Sequence, residues 1–262
     1  MKHMPRIKIS NDRSLGYVEA GGGDLTPIIF LHGVGSDKSV WHPQLEHFGR
    51  TRRAIAFDYP GYGYSDPAPE GTTRDDYAEA IHSAMHALAV ERAHVCGLSL
   101  GGVVAIALCD AVPNHCASLI LADTFAVHPE GRAIYERNLA GTRDIPAMAE
   151  ARVDVLLAQP ADPAVRREVV ETMSRIDAAS YRIGAEAVWL ADQRDRAGEV
   201  RVPTLVLVGD KDLVTPVDLS SELVDLIPDA RMQVIRGAGH LGNLEKPAEF
   251  NAAVDEFIQP LG

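Results

Sequence analysis

The segment Gly97-Leu98-Ser99-Leu100-Gly101 constrains this chain more than any other, because it fits the pattern G-x-S-x-G. An apolar run typical of a strand precedes it at residues 93–96, and a run typical of a helix follows at residues 103–111. In that context the pattern predicts a sharp strand-to-helix turn that presents the serine, with small neighbours relieving the crowding. The N–H groups of the following helix favour negative charge at the same place. Ser99 is therefore a candidate nucleophile.

Length, charge and cysteine content limit the classes of protein to consider. A chain of 262 residues accommodates one sizeable α/β domain with an insertion. The formal net charge of −12 disfavours nucleic acid and anionic membranes as partners. The sequence contains neither a transmembrane span nor an apolar signal-peptide core. Cys96, Cys109 and Cys116 lack metal-like spacing and are interpreted as buried free thiols, so we expect a cytoplasmic protein.

Strand-like and helix-like segments alternate along most of the chain. Two short strands at residues 7–9 and 17–20 precede continuous apolar runs at residues 27–31 and 54–57, which suit strands buried in a parallel sheet. Further strands are expected at residues 93–96, 119–121, 204–208 and 231–235, and helices at residues 40–48, 75–88, 103–111, 217–227 and 247–258. An alternating pattern after an antiparallel start predicts an α/β fold with a mostly parallel sheet flanked by helices.

The strands at residues 119–121 and 204–208 are separated by much more chain than one strand-helix-strand crossover needs. Helical apolar spacing recurs between them, at residues 129–139, 145–157, 164–176 and 178–191. We interpret residues 126–195 as a helical lid inserted into a core formed by residues 1–125 and 196–262. Five arginines of this segment are available to pair with a substrate carboxylate: Arg132, Arg137, Arg143, Arg175 and Arg182.

Reactive or small residues stand at the ends of the predicted strands, where ligand sites of open parallel sheets form. Ser99, Asp212 and His240 follow the order nucleophile, acid, base that accompanies a turn of the G-x-S-x-G type. In such a set the base takes the serine proton, and the acid fixes the tautomer of the base. Asp212 is favoured as the acid over Asp210 by motif, and Asp123 is a third candidate.

An oxyanion formed on a substrate carbonyl needs two backbone N–H donors. Leu100 directly follows the serine, and Val34 lies in the glycine-rich loop after the strand at residues 27–31, so these two are the candidate donors. The residues expected to border a substrate pocket are His32, Gly33, Asp123 and Trp189. No metal site is expected, since His82 and His86 have no acidic or cysteine ligands at matching spacing.

These segments resemble the α/β-hydrolase superfamily over nearly the whole chain. The matching stretches are His32-Gly33 and residues 58–65, 97–102, 209–216 and 240–247. Within the superfamily the chain is most similar to 3-oxoadipate enol-lactonases and small carboxylesterases, through residues 31–41, 121–124 and 202–216. The resemblance implies an α/β-hydrolase fold and hydrolysis of an ester or enol-lactone by a serine triad without a cofactor. It also implies that Asp212 takes the acid position and Val34 the first oxyanion position.

Members of the superfamily that catalyse other reactions provide alternative functions for this chain. Haloalkane dehalogenases and epoxide hydrolases carry aspartate at the nucleophile position, where this chain has Ser99. Meta-cleavage C–C hydrolases keep the serine but usually have asparagine before it, where Leu98 stands here. Cofactor-free haloperoxidase-like esterases share every motif, and some members of the fold are ligand receptors. The expected partner is a small-molecule ester or lactone, and a homo-oligomer is left open.

Overall fold

The computed structural model describes residues 5–262, which form a sheet of eight strands flanked by helices. The strands are β1 (Arg6–Lys8), β2 (Ser14–Ala20), β3 (Ile28–Leu31), β4 (Ala54–Phe57), β5 (Ala93–Leu98), β6 (Cys116–Ala122), β7 (Thr204–Gly209) and β8 (Ala230–Ile235). Their order across the sheet is β1-β2-β4-β3-β5-β6-β7-β8. Strand β2 is antiparallel to β1 and β4, and every later pair is parallel. The predicted, mostly parallel sheet with an antiparallel start is confirmed.

The strands from β3 to β7 are buried along their whole length, which explains why their sequences are almost continuously apolar. In β3, the ring of Phe30 packs against Trp41 and Phe48, with ring centroids 4.9 and 5.9 Å apart. Strand β8 lies at the edge of the sheet and is exposed over residues 231–234. The carboxyl ends of the buried strands are therefore held in place by a rigid apolar core.

The helices surround this sheet and include a group inserted between β6 and β7. They are α1 (His42–Phe48), α2 (Arg74–Ala87), α3 (Leu100–Ala111), α4 (Gly131–Gly141), α5 (Ile145–Leu156), α6 (Pro163–Ser174), α7 (Ala178–Trp189), α8 (Arg194–Glu199), α9 (Val217–Leu226), α10 (Gly242–Glu245) and α11 (Pro247–Ile258). Helix α3 is buried over residues 100–109 because it packs against β5, β6 and α2. Within residues 5–262, no helix has the length and apolar character needed to span a membrane.

Aspartate caps define where three of the inserted helices begin. Asp144, Asp162 and Asp177 accept backbone N–H groups of α5, α6 and α7 at 3.0, 2.7 and 2.9 Å. Pro146 and Pro163 lie in the first turns of α5 and α6. Backbone N–H groups there have no acceptor within the helix, so a proline costs no hydrogen bond. These prolines, which look like breaks in the sequence pattern, therefore start helices instead of ending them.

The helix expected at residues 40–48 differs from the prediction, and one further helix was not predicted at all. The helix expected at residues 40–48 begins as a 3₁₀ turn (Lys38–Trp41), and α1 starts at His42 with Pro43 in its first turn. Helix α8 was not predicted, because its one buried residue, Ala197, gives no apolar periodicity. The predicted end of the insertion at residue 195 lies within α8, which packs against α3 and α9.

Candidate active site

Ser99 occupies the turn between β5 and α3, directly after Leu98 and before Leu100. Its backbone has φ 55° and ψ −115°, a left-handed φ that costs a non-glycine residue on the order of 1–3 kcal/mol. The Ser99 N–H donates to the carbonyl oxygen of Ala122 (3.0 Å), and the hydroxyl of Thr124 donates to the Ser99 carbonyl oxygen (2.8 Å). These contacts with the end of β6 hold the serine in its strained conformation.

Close packing explains the two glycines of the G-x-S-x-G segment. A Cβ atom on Gly97 would lie 2.1 Å from the carbonyl oxygen of Gly101, and one on Gly101 would lie 2.0 Å from that of Leu31. Both distances are far below van der Waals contact, so larger residues would force the turn apart. The local sequence is thus adapted to bring α3 against β3 and β5 with Ser99 at the junction.

His240 and Asp212 are held together in the loops that follow β8 and β7. The Nδ1 atom of His240 lies 2.8 Å from Oδ2 of Asp212. Asp212 also accepts the hydroxyl of Thr215 at Oδ2 (2.5 Å), and the N–H groups of Val214 and Thr215 at Oδ1 (2.7 and 3.0 Å). Every oxygen of this buried carboxylate is therefore used, and its orientation toward the imidazole is fixed.

The electrostatic surroundings keep Asp212 ionised. Burial by itself raises the pKa of the Asp212 carboxyl, but the His240 charge and the hydrogen bonds from His240 and Thr215 outweigh it and lower that pKa to about 2. The carboxylate is then available at neutral pH to hold a proton on Nδ1 of His240, which leaves Nε2 free to accept one.

The other two candidate acids have different surroundings. Asp210 is exposed, and its Oδ1 accepts the N–H of Gly237 (2.6 Å). Asp123 is fully buried with φ 46°, and its Oδ1 accepts the N–H of Gly209 (2.9 Å). Burial and the neighbouring charge of Asp212 raise the pKa of Asp123 well above its ordinary value, so its neutral form is favoured. Over residues 5–262, Asp212 is the carboxylate hydrogen-bonded to His240.

The inserted helices help to hold the loop that carries His240. The His240 N–H donates to the carbonyl oxygen of Leu156 at the end of α5 (2.8 Å). Glu245 bridges the two segments, because its carboxylate accepts the N–H of Ala158 (2.6 Å) and that of Gly239 (2.8 Å). Sequence reasoning assigned no role to Glu245 or Thr215, although both lie inside the segments that carry the family resemblance.

Ser99 and His240 border one cavity, here called the inner cavity, of about 570 Å³ including its open mouth. Its wall includes Gly33, Ser99 and His240 from the core and Arg152, Met173 and Trp189 from the insertion. Much of the remaining lining is apolar, as is usual in sites that bind small molecules. The inserted helices thus form one side of the space above the serine.

The two candidate oxyanion donors are Leu100, next to Ser99 in the chain, and Val34, in the wall of the inner cavity. Leu100 is the first residue of α3, so its N–H has no acceptor within the helix. Val34 borders the inner cavity, next to Gly33, on which a Cβ atom would stand 3.5 Å from that of Ser99. Val34 and Leu100 therefore stay the candidates for the two oxyanion donors.

The four residues expected at the pocket divide into two pairs. Gly33 and Trp189 border the inner cavity. His32 and Asp123 have no exposed surface and are not part of its wall. The Nδ1–H of His32 donates to the carbonyl oxygen of Gly33 (2.8 Å), and burial lowers the pKa of this imidazole. His32 therefore supports the loop that carries Val34 instead of facing a ligand.

None of the five arginines singled out from the sequence lines the inner cavity; Arg152 of α5 does. A second, more open space of about 1280 Å³, here called the outer cleft, lies against the insertion and the loop after Asp212. Its wall includes His128, Arg137, Asn138, Leu213 and Pro216. Arg152, Leu156 and Trp189 belong to both walls, so the two spaces share a border. Periodicity could not identify Arg152, because its direction depends on how the helices pack.

The described part of the chain contains no cluster of three or more His, Cys, Asp or Glu side chains arranged to hold a metal ion. The three cysteines are buried and free. The ring of His82 packs edge-on against the ring of His115, with centroids 4.8 Å apart.

Comparison with known proteins identifies the family of this chain. The model of the alpha/beta hydrolase family matches residues 28–253. The chain belongs to the alpha/beta hydrolase family. It is 26% identical over 254 residues to 3-oxoadipate enol-lactonase 1 of Acinetobacter baylyi, covering 93% of each chain. The relationship to enol-lactonases predicted from the sequence is thereby confirmed.

Solved structures give the same result. The enol-lactonase of Burkholderia xenovorans is similar with a TM-score of 0.90 at 26% identity, covering 97% of this chain and 100% of the other. A thermophilic esterase of Thermogutta terrifontis also has a TM-score of 0.90 at 26% identity, covering 99% of each chain. The predicted α/β-hydrolase fold is confirmed, and the relatives support a hydrolase activity.

Proposed function

We propose that this protein hydrolyses a carboxylic ester or lactone through a covalent acyl-enzyme. Ser99 Oγ attacks the carbonyl carbon while Nε2 of His240 takes the hydroxyl proton. Collapse of the tetrahedral intermediate breaks the C–O bond, and the leaving oxygen receives that proton from His240. Water then attacks the acyl-enzyme, His240 takes a proton from it, and the regenerated serine releases the acid product.

One observation carries this proposal: a serine in a left-handed turn borders the same cavity as an imidazole whose other nitrogen is hydrogen-bonded to a buried carboxylate. Ser99 and His240 border the inner cavity, and Asp212 lies 2.8 Å from Nδ1 of His240. This set supplies a nucleophile, a base and a group that orients the base. The N–H groups of Val34 and Leu100 are the proposed oxyanion donors, each typically worth about 3 kcal/mol of barrier.

The relatives support attack on a carbonyl as the common step. Proteins named as enol-lactonases and an esterase cover this chain almost completely. The proposed partner is a small-molecule ester or lactone, in keeping with the mostly apolar lining of the inner cavity that Ser99 and His240 border. We propose the cytoplasm as the place of action, since Cys96, Cys109 and Cys116 are free and buried.

The proposal is tested by steady-state rates on short p-nitrophenyl esters and on a panel of enol-lactones. Wild type is compared with Ser99→Ala, which should lose at least about 10⁴-fold in kcat while its circular dichroism and Tm stay close to wild type. Retained turnover in the folded variant contradicts the serine mechanism. Absence of turnover on both panels by wild type favours cleavage of a C–C bond or a receptor role, which ring-cleavage diketones and binding assays then examine.

A further inference from the structure

His128 lies in the loop between β6 and α4, and its imidazole is hydrogen-bonded to the loop that carries Asp212. Its Nε2 lies 3.2 Å from the carbonyl oxygen of Val214, and its Nδ1 lies 3.1 Å from the backbone nitrogen of Glu130. A backbone N–H can only donate, so the Glu130 N–H needs a lone pair on Nδ1. The ring proton is therefore on Nε2, from which it donates to the Val214 carbonyl oxygen.

The neutral form of His128 is the one that makes both hydrogen bonds. Protonation would place a second N–H on Nδ1, where it would face the N–H of Glu130. Burial lowers the pKa of the His128 imidazole, and the positive charge of Arg137 acts in the same direction. The Val214 carbonyl oxygen and the charges of Glu130 and Asp212 act in the opposite direction and are outweighed. His128 is thus a neutral donor toward Val214 at neutral pH.

The peptide unit between Val214 and Thr215 connects His128 to the acid. Its carbonyl oxygen accepts the Nε2–H of His128, and its N–H donates to Oδ1 of Asp212 at 3.0 Å. A trans peptide unit is planar with its C=O and N–H pointing in opposite directions, so fixing the carbonyl also fixes the N–H. Accepting a hydrogen bond at the oxygen also strengthens donation from the N–H of the same unit. His128 therefore acts on Oδ1 of Asp212, while Oδ2 contacts His240.

His128 also borders the outer cleft, but both of its ring nitrogens are already used within the protein. Its ring packs edge-on against Phe125 and Trp189, with centroids 5.3 and 5.5 Å away. These contacts restrict rotation of the imidazole and keep Nε2 directed at the carbonyl oxygen of Val214. The position of His128 therefore fits a group that supports the acid better than one that binds a ligand.

We propose that His128 is a positioning residue, which holds Asp212 in the direction that fixes the imidazole of His240 by acting through the peptide unit between Val214 and Thr215. The role rests on the proposed function, because it acts on the acid and the base assigned there. His128 is not part of the wall of the inner cavity, so its effect falls on proton transfer and not on substrate binding. Its loss should therefore lower kcat and leave KM nearly unchanged.

Two replacements separate the hydrogen bond to Val214 from the rest of the side chain. In His128→Gln the amide nitrogen lies close to the position of Nε2 and can donate to the Val214 carbonyl oxygen. In His128→Asn the amide extends only as far as the position of Nδ1, so that bond is lost. On a p-nitrophenyl ester, His128→Asn should lower kcat about tenfold with KM within about twofold of wild type. His128→Gln should keep kcat within about twofold of wild type.

Both variants lose the imidazole and its contacts with the aromatic rings, so a purely structural role would affect them alike. Equal kcat values in folded His128→Gln and His128→Asn overturn the proposal, and so does a loss in His128→Asn that lies in KM alone. Should His128→Asn not fold, His128→Gln decides: kcat within about twofold of wild type supports the proposal, and a loss of about tenfold overturns it.

A double variant tests whether His128 acts through Asp212. When His128→Asn is added to Asp212→Asn, kcat should fall by less than about twofold further, because the carboxylate that His128 positions is already absent. A further loss of about tenfold in that background overturns the proposal. His82→Asn is the matched control, since His82 also packs edge-on against a ring, that of His115, and borders neither space. It should leave kcat and KM at their wild-type values.

Failure of the proposed function gives a different result. In that case wild type hydrolyses no ester or lactone of the panels, and ¹H–¹⁵N spectra of protein labelled in its histidine rings measure the positioning without turnover. In wild type, His128 should carry its proton on Nε2 and His240 on Nδ1. His128→Asn should shift His240 toward the form with its proton on Nε2, and His128→Gln should not. A His240 spectrum that is the same in His128→Asn and wild type, or a wild-type His128 with its proton on Nδ1, overturns the proposal.

Discussion

Nδ1 of His240 lies 2.8 Å from Oδ2 of Asp212, although the two residues are 28 positions apart in the chain. The sheet explains this contact, because β7 and β8 are neighbouring parallel strands with Gly209 paired to Ile235. Parallel neighbours end at the same edge of a sheet, so the loops that follow them emerge side by side. The acid and the base of the proposed site are thus brought together by strand pairing rather than by local sequence.

Replacing each of the two acids in the loop after β7 should separate their roles. Asp212→Asn should lower kcat on an ester substrate by about 10³- to 10⁴-fold, because an amide no longer favours the imidazole tautomer with Nε2 free. Asp210→Asn should change the rate by no more than about twofold, since Asp210 is exposed and the amide oxygen can still accept the Gly237 N–H. The opposite ranking would transfer the acid role to Asp210.

The low pKa of Asp212 predicts how stability changes in acid. Its folded pKa of about 2 lies below its ordinary value of 3.8, so the contribution is fully present above about pH 4 and is lost as the pH falls through 2. The amount is on the order of 2 kcal/mol. Urea unfolding from pH 6 to pH 2 should show the wild-type advantage over Asp212→Asn shrinking below pH 4. Ser99→Ala, which keeps every carboxylate, should follow the wild-type curve.

The raised pKa of Asp123 predicts the opposite dependence of stability on pH. A carboxyl that stays protonated in the folded state favours folding at low pH, and that contribution is lost as the pH rises above its unfolded value near 4. An asparagine side chain has no proton to lose in this range, so the Tm of Asp123→Asn relative to wild type should increase between pH 4 and pH 8. Thermal melts at four pH values measure this difference. A difference that is constant or that falls with pH would mean that Asp123 is ionised in the folded protein.

Close packing around Gly101 predicts that adding one methyl group there lowers the stability of the protein strongly. Gly101→Ala places a Cβ atom 2.0 Å from the carbonyl oxygen of Leu31, so it should destabilise the protein by at least about 2 kcal/mol. Gly198→Ala in α8 is the control, since no atom outside the local helix backbone lies within 4 Å of its added Cβ. It should stabilise by about 0.5–1 kcal/mol, because alanine loses less backbone entropy in a helix. Denaturant unfolding of both variants measures the contrast.

The local features of the fold were predictable because each depends on a few neighbouring residues. The buried strands appear as apolar runs such as residues 204–208, and the turn at Ser99 appears as small residues between a strand and a helix. The inserted helices appear through apolar spacing, apart from α8, whose single buried residue gives no period. Chain order alone already favoured Asp212 as the partner of His240.

Side-chain direction was decided by contacts between distant segments. The sequence suggested His32 and Asp123 for the pocket wall, yet both are fully buried, one against Tyr59 and Tyr62 and the other under the end of β7. Arg152 carries no motif, and its approach to the space above Ser99 follows from the packing of α5 against the core.

The sequence by itself determined the order of strands and helices and the serine turn, because backbone preference and hydrophobic period are properties of short segments. The tertiary structure decided between the carboxylates that the sequence offered to His240, and it decided that Arg152 borders the inner cavity. Those contacts are set by strand pairing and helix packing over separations of 28 residues for Asp212 and His240, and no short segment contains that information.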